Sequence, residues 1–154
     1  MTKSELTNEV VLADSSNYTH SRSGYKVCKI TIHHIAGVLS GTQCAKIFQH
    51  SNRNASANYC IGNDGDIILS VPEEYRAWTS SSKSNDSQAI TIEVSDSDYN
   101  WNVGEKAWNS MINLCVDICR RYNFKLVYDN TPNGSLTRHN MFANTNCPRC
   151  ILTK

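Results

Sequence analysis

The chain has 154 residues, 40% of them hydrophobic and 19% charged, with a formal net charge of +1. That length and apolar share suit a folded soluble chain, and we expect one domain over residues 1–154 acting as a monomer. The near-zero charge argues against a nucleic-acid partner, no apolar run approaches the roughly 20 residues a membrane helix needs, and Met1-Thr2-Lys3-Ser4-Glu5 has no apolar stretch for a signal peptide, so synthesis in the cytoplasm is expected.

Residues 1–26 are polar and predict an irregular arm around the domain. Residues 27–33 alternate: Cys28, Ile30 and Ile32 predict a core face, while Lys29, Thr31 and His33 point the other way. Gly37 to Gly41 reads as a loop, and Thr42 as the cap of a helix reaching about Asn52, with Cys44, Ile47 and Phe48 inward. Two strands, 57–62 and 66–71, flank the turn signal Asn63-Asp64-Gly65. Ala77-Trp78 leads into a serine-rich stretch, Thr79 to Asn85, expected as a mobile loop at a groove rim. Residues 88–94 alternate again, with Ile90, Ile92 and Val94 buried and Thr91 and Glu93 opposite, so Glu93 is expected to share a polar face with His33. From Val103 or Gly104 to Tyr122, the residues Trp108, Met111, Ile112, Cys115, Ile118, Cys119 and Tyr122 follow helical spacing as one buried stripe. Asn130 to Gly134 is a turn before the last segment.

Three separated residues form a candidate zinc site. His33 ends Lys29-Ile30-Thr31-Ile32-His33, and His139 and Cys147 lie eight positions apart near the C-terminal end. Two imidazoles and a thiolate suit Zn²⁺, and three protein ligands leave a fourth tetrahedral position open, the pattern of a catalytic rather than a structural metal. Of the seven cysteines, five are expected in the core and Cys147 on the metal. Cys150 stays open: Cys147-Pro148-Arg149-Cys150 also fits a redox motif, half of a zinc ribbon, or a fourth ligand that blocks the water position.

The chain resembles the type-2 N-acetylmuramoyl-L-alanine amidases of the zinc amidase and peptidoglycan-recognition family, most of all the catalytic domains of phage endolysins. The segments that carry the resemblance are Ile30 to His34, Ala55 to Tyr59, Ile61 to Ile67, Val71-Pro72-Glu73, Ala77-Trp78, Ile90 to Glu93, and His139 through Pro148. The resemblance implies an α/β fold with a central mixed β-sheet packed by helices and zinc in a surface groove. It maps the ligands onto His33, His139 and Cys147, places Tyr59 and Glu93 near the metal, and puts Thr145 where many relatives have lysine or threonine. Two departures stand out: Arg149 replaces the usual glycine after Cys-Pro, and Thr79 replaces a histidine common after Ala-Trp.

The implied reaction is zinc-dependent hydrolysis of the amide between N-acetylmuramic acid and L-alanine of peptidoglycan, and with it lysis of a bacterial wall. Glu93 is expected to move the proton, and Tyr59 or Thr145 to stabilise the oxyanion. The alternative is a module of the same fold that binds peptidoglycan without cutting it. In such relatives the cysteine ligand is commonly replaced, so Cys147 favours hydrolysis.

Overall fold

The computed structural model describes residues 1–152; Thr153 and Lys154, the end of the expected domain, lie outside the described residues. In chain order the elements are β1 (Glu9–Val10), β2 (Tyr18–Thr19), β3 (Lys29–His34), α1 (Gly41–Ile47), β4 (Tyr59–Ile61), β5 (Ile67–Leu69), β6 (Arg76–Ala77), α2 (Lys83–Gln88), β7 (Ala89–Val94), α3 (Glu105–Tyr122) and β8 (Leu136–Arg138). Six strands form one sheet in the order β1-β5-β4-β7-β3-β8, and β2 pairs with β6 in a separate ribbon. Within the large sheet only β4 and β5 run antiparallel; the other neighbours are parallel. The expected central mixed sheet packed by helices is what forms.

Apolar clusters cover both faces. Ile30, Ile32, Tyr59, Ile61, Ile90 and Ile92 pack with Met111, Leu114 and Ile118 of α3. On the other side Cys60 and Ile68 pack with Cys44, Ala45 and Phe48 around α1. The N-terminal arm is irregular for most of its length but tied down, donating from Val11 N to Leu69 O (3.0 Å) and from Ala13 N to Ser70 O (2.9 Å).

Several local expectations change. The polar face of β3 and β7 is not at the surface: Thr31 and Thr91 are fully buried. Their hydroxyls are met inside, Thr31 by Thr137 (2.9 Å) and by the Asn85 amide (2.9 Å), Thr91 by Thr79 (2.8 Å). Such a layer is tolerated because each buried polar group finds a partner. β8 supplies Thr137, and the serine-rich stretch supplies the other two partners, Asn85 and Thr79. It is not a loose loop but the approach to α2, with Ser82 as its cap and Asp86 accepting from Ser80 Oγ (2.6 Å).

The cap of α1 is Ser40, two residues before Thr42, in a capping box with Gln43. The helix stops at Ile47 because the arm takes its end: Asp14 N and Asn17 Nδ2 both donate to Phe48 O (2.9 Å each). On α3 the buried line is Ala107, Met111, Leu114, Cys115 and Ile118, while Trp108 and Ile112 remain 38% and 43% exposed. Apolar residues cover more of this helix than the sheet can, so periodicity gave the helix but not its rotation. Three of the five expected core cysteines, Cys44, Cys60 and Cys115, are buried; Cys28 and Cys119 are half-buried.

Candidate metal centre

The parallel register assembles the site. Pairing of β3 with β7 sets His33 opposite Glu93, and pairing of β3 with β8 sets Ile32 opposite Arg138, so His139 follows immediately beside His33. His139 begins a 3₁₀ turn, His139–Met141, whose Asn140 N donates to Cys147 O (3.0 Å) and draws the cysteine segment back across it. One donor atom from each of His33, His139 and Cys147 lies within 4.8 Å of the others. Cys147 Sγ is 3.9 Å from His33 Nδ1, and the two imidazole centroids are 4.7 Å apart. With Zn–S about 2.3 Å and Zn–N about 2.1 Å, tetrahedral ligation needs an S···N separation of about 3.6 Å. The observed spacing therefore fits a zinc ion.

Other polar atoms of these residues and of Glu93 are left without partners. His33 Nε2, His139 Nε2 and Glu93 Oε2 are buried and make no hydrogen bond among the described residues. An unmet buried polar group costs about 1–3 kcal/mol; on His33 the nitrogen turned to Cys147 is Nδ1, so its unpartnered Nε2 is the second ring nitrogen rather than the one facing the sulfur. Burial, then the neighbouring His139, holds His33 well below the ordinary histidine range, and burial lowers His139 as well. Both imidazoles are thus neutral, the form that ligates metals. Burial, reinforced by the Glu93 charge, pushes the Cys147 thiol up to about 12. Glu93 keeps some solvent access yet sits deep enough for burial to push its carboxyl up to about 7, with Arg53 pulling the other way. A dication reverses this balance by favouring thiolate and carboxylate.

The remaining candidates divide. Thr145 is half-buried beside the cluster, its hydroxyl accepting from Cys147 N (3.2 Å) and keeping its own proton to donate. Tyr59 is not brought to the cluster. It pairs with Ile92 rather than Glu93 and so lies on the α3 face. Its hydroxyl donates to Glu73 Oε1 (2.5 Å) and accepts from Ser4 N (2.8 Å). Cys150 directs its thiol to Trp101 O (2.7 Å) and is not part of the three-residue group, so the four-ligand alternative is not built.

Sequence reasoning missed the support around Cys147. His34 N donates to its sulfur (3.2 Å), while the His34 ring bonds Asp96 and stacks on Trp101 (centroids 4.9 Å). Asp96 lies two residues past β7, and only the β3–β7 register places it beside His34.

Residues 23–150 match the family described as N-acetylmuramoyl-L-alanine amidase. Solved structures share the fold. A mutant endolysin from Bacillus subtilis has a TM-score of 0.77 at 18% identity, covering 96% of this chain and 94% of that one. The N-acetylmuramoyl-L-alanine amidase LysC from Clostridium intestinale URNW has a TM-score of 0.67 at 21% identity, covering 91% and 86%. Staphylococcus aureus hydrolase AmiA, solved in complex with its ligand, has a TM-score of 0.63 at 21% identity, covering 86% and 66%. The sequence matches no curated protein. The family match spans most of the chain and contains the whole His33–His139–Cys147 cluster; this chain belongs to the N-acetylmuramoyl-L-alanine amidase family.

Proposed function

We propose that the chain, as one monomeric catalytic domain, hydrolyses the amide between the lactyl group of N-acetylmuramic acid and L-alanine of the stem peptide, and so breaks down the bacterial cell wall. The observation that carries the reading is the convergence of two imidazoles and a thiol within 4.8 Å, beside a carboxylate with an oxygen that has no partner among the described residues. Family membership supports the same bond.

His33, His139 and Cys147 would hold zinc. A zinc ion there supplies a Lewis acid for the amide carbonyl and brings the pKa of water to about 7. Glu93 accepts the proton of the attacking water and returns it to the leaving amine. A carboxylate held beside that water is suited to both transfers. Thr145 donates a hydrogen bond from its hydroxyl to the carbonyl oxygen as charge gathers there, a class of contact worth roughly 2.7–4 kcal/mol. His34 N, bonded to Cys147 Sγ, holds the sulfur in place. Tyr59 has no part in the reaction and secures the fold through Glu73.

The test is mass spectrometry of digested cell walls together with metal analysis. About one zinc per chain and stem peptides with new L-alanine amino termini are expected. New reducing sugar ends, or wall binding without release of peptides, would refute the reading.

A further inference from the structure

We infer that the groove beside His139 selects stem peptides carrying a free carboxylate, which Lys83 and Arg76 bind. The inference rests on the amidase reading above and deepens it.

The groove has a volume of about 410 Å³, and its lining includes His139, Trp78, Arg76, Lys83 and Asp86. His139 belongs also to the metal cluster, its ring centroid 4.7 Å from that of His33. A substrate with its scissile bond at the cluster therefore has this groove as its continuation.

The charges in the groove do not cancel. Its one carboxylate, Asp86, is 2% exposed and already committed. It accepts from Thr79 N (3.0 Å), Ser80 N (3.1 Å) and Ser80 Oγ (2.6 Å). Against it stand two cations, and among the described residues neither takes part in an ion pair. Arg76 donates from Nη2 to Thr19 Oγ1 (2.6 Å), which fixes the guanidinium plane and leaves its other N–H groups to offer. Lys83 is exposed at the first residue of α2.

The backbone between them is held out of the common range. Ser81 has φ +64°, a conformation that non-glycine residues keep only where the surroundings impose it. The surroundings here are Ser80 Oγ, which accepts from Ser82 N (3.3 Å), and Ser82 Oγ, which accepts from Asn85 N (3.3 Å). The wall that carries Lys83 is thus preorganised.

Two cations on a fixed wall, neither in an ion pair among the described residues although Arg76 also acts on the Asp86 carboxylate, suit an anion, and on this substrate the anionic groups are the carboxylates of the stem peptide. Walls differ in whether those groups are free acids or primary amides. Charge-assisted hydrogen bonds from Lys83 and Arg76 would separate the two. A groove built for the uncharged glycan alone has no use for either cation.

The experiment compares soluble muramyl peptides bearing free carboxylates with their primary amides. The enzymes are the wild-type chain, Lys83→Ala, Lys83→Glu and Arg76→Ala, with Lys125→Ala as an exposed control outside the groove. For the acid, KM is expected to rise about tenfold in Lys83→Ala and more in Lys83→Glu, with kcat within about twofold. For the amide, KM starts high and does not change in the Lys83 variants, and the control matches wild type on both. Equal KM for acid and amide in wild type, or the same loss on both substrates in Lys83→Ala, overturns the inference and leaves the amidase reading standing. Failure of the wild type to cleave either peptide overturns the amidase reading itself.

Discussion

A histidine 1% exposed with an unpartnered ring nitrogen is costly unless something meets that nitrogen, and His33 shares this state with His139 Nε2 and Glu93 Oε2. Variants of Cys147, His139 and Glu93 separate metal binding from chemistry. Cys147→Ser and His139→Ala should lose zinc and activity together, as read by metal analysis and peptide release; full activity in either variant would exclude it as a ligand. Glu93→Gln keeps the shape of the side chain but not the base. It should retain zinc while kcat falls about 10²- to 10⁴-fold, the usual worth of a positioned proton-transfer group. Tyr59→Phe should leave kcat unchanged. It removes the hydroxyl that joins Glu73 to Ser4 N, so stability should drop by about 1–3 kcal/mol in chemical denaturation. Reduced turnover at unchanged stability would return Tyr59 to the active site. The sequence places Tyr59 in an apolar alternation with Ala57 and Ile61, which signals core; only the family resemblance had drawn it toward the metal.

At the scale of elements, alternation was legible in β3 and β7, and it put His33 and Glu93 on one face as expected. What alternation does not say is whether the polar face meets water or more protein. Thr31 and Thr91 look like solvent positions in a list of residues, yet Asn85 and Thr79 meet them in the interior. Those partners come from the serine-rich stretch, whose composition reads as a loop because serine competes with the backbone for hydrogen bonds. Here the competition caps a helix. The end of α1 was illegible for a related reason: the groups that stop it, Asp14 N and the Asn17 amide, lie more than thirty residues upstream. Its start carried a local signal, since Ser40 precedes Gln43 by three residues as a capping box requires. Ser40→Ala should therefore cost about 1 kcal/mol in denaturant unfolding, whereas Thr42→Ala should leave the N-cap intact. Equal losses in the two variants would move the cap back to Thr42.

For the molecule as a whole, the cluster joins residues 33, 139 and 147, which share no local structure in an unfolded chain. Metal affinity is then folding stability, because the unfolded state has no site of comparable strength. The sheet does not depend on the metal for its own core. Ile30, Ile32, Ile90 and Ile92 are buried against α3 on one face, and Cys60 and Ile68 against α1 on the other. Removing zinc should therefore loosen one edge of a fold that persists, rather than unfold the chain as in a small zinc finger. With zinc at about 100 times its Kd the contribution is about 2.7 kcal/mol. At about 2–4 °C per kcal/mol for a chain of this size, a chelator should lower Tm by about 5–11 °C. Far-UV circular dichroism at 25 °C should stay unchanged, and added zinc should restore both Tm and activity. An unchanged Tm would mean that no metal is bound by the fold, and loss of the far-UV signal would mean that the two apolar clusters do not hold the sheet without it.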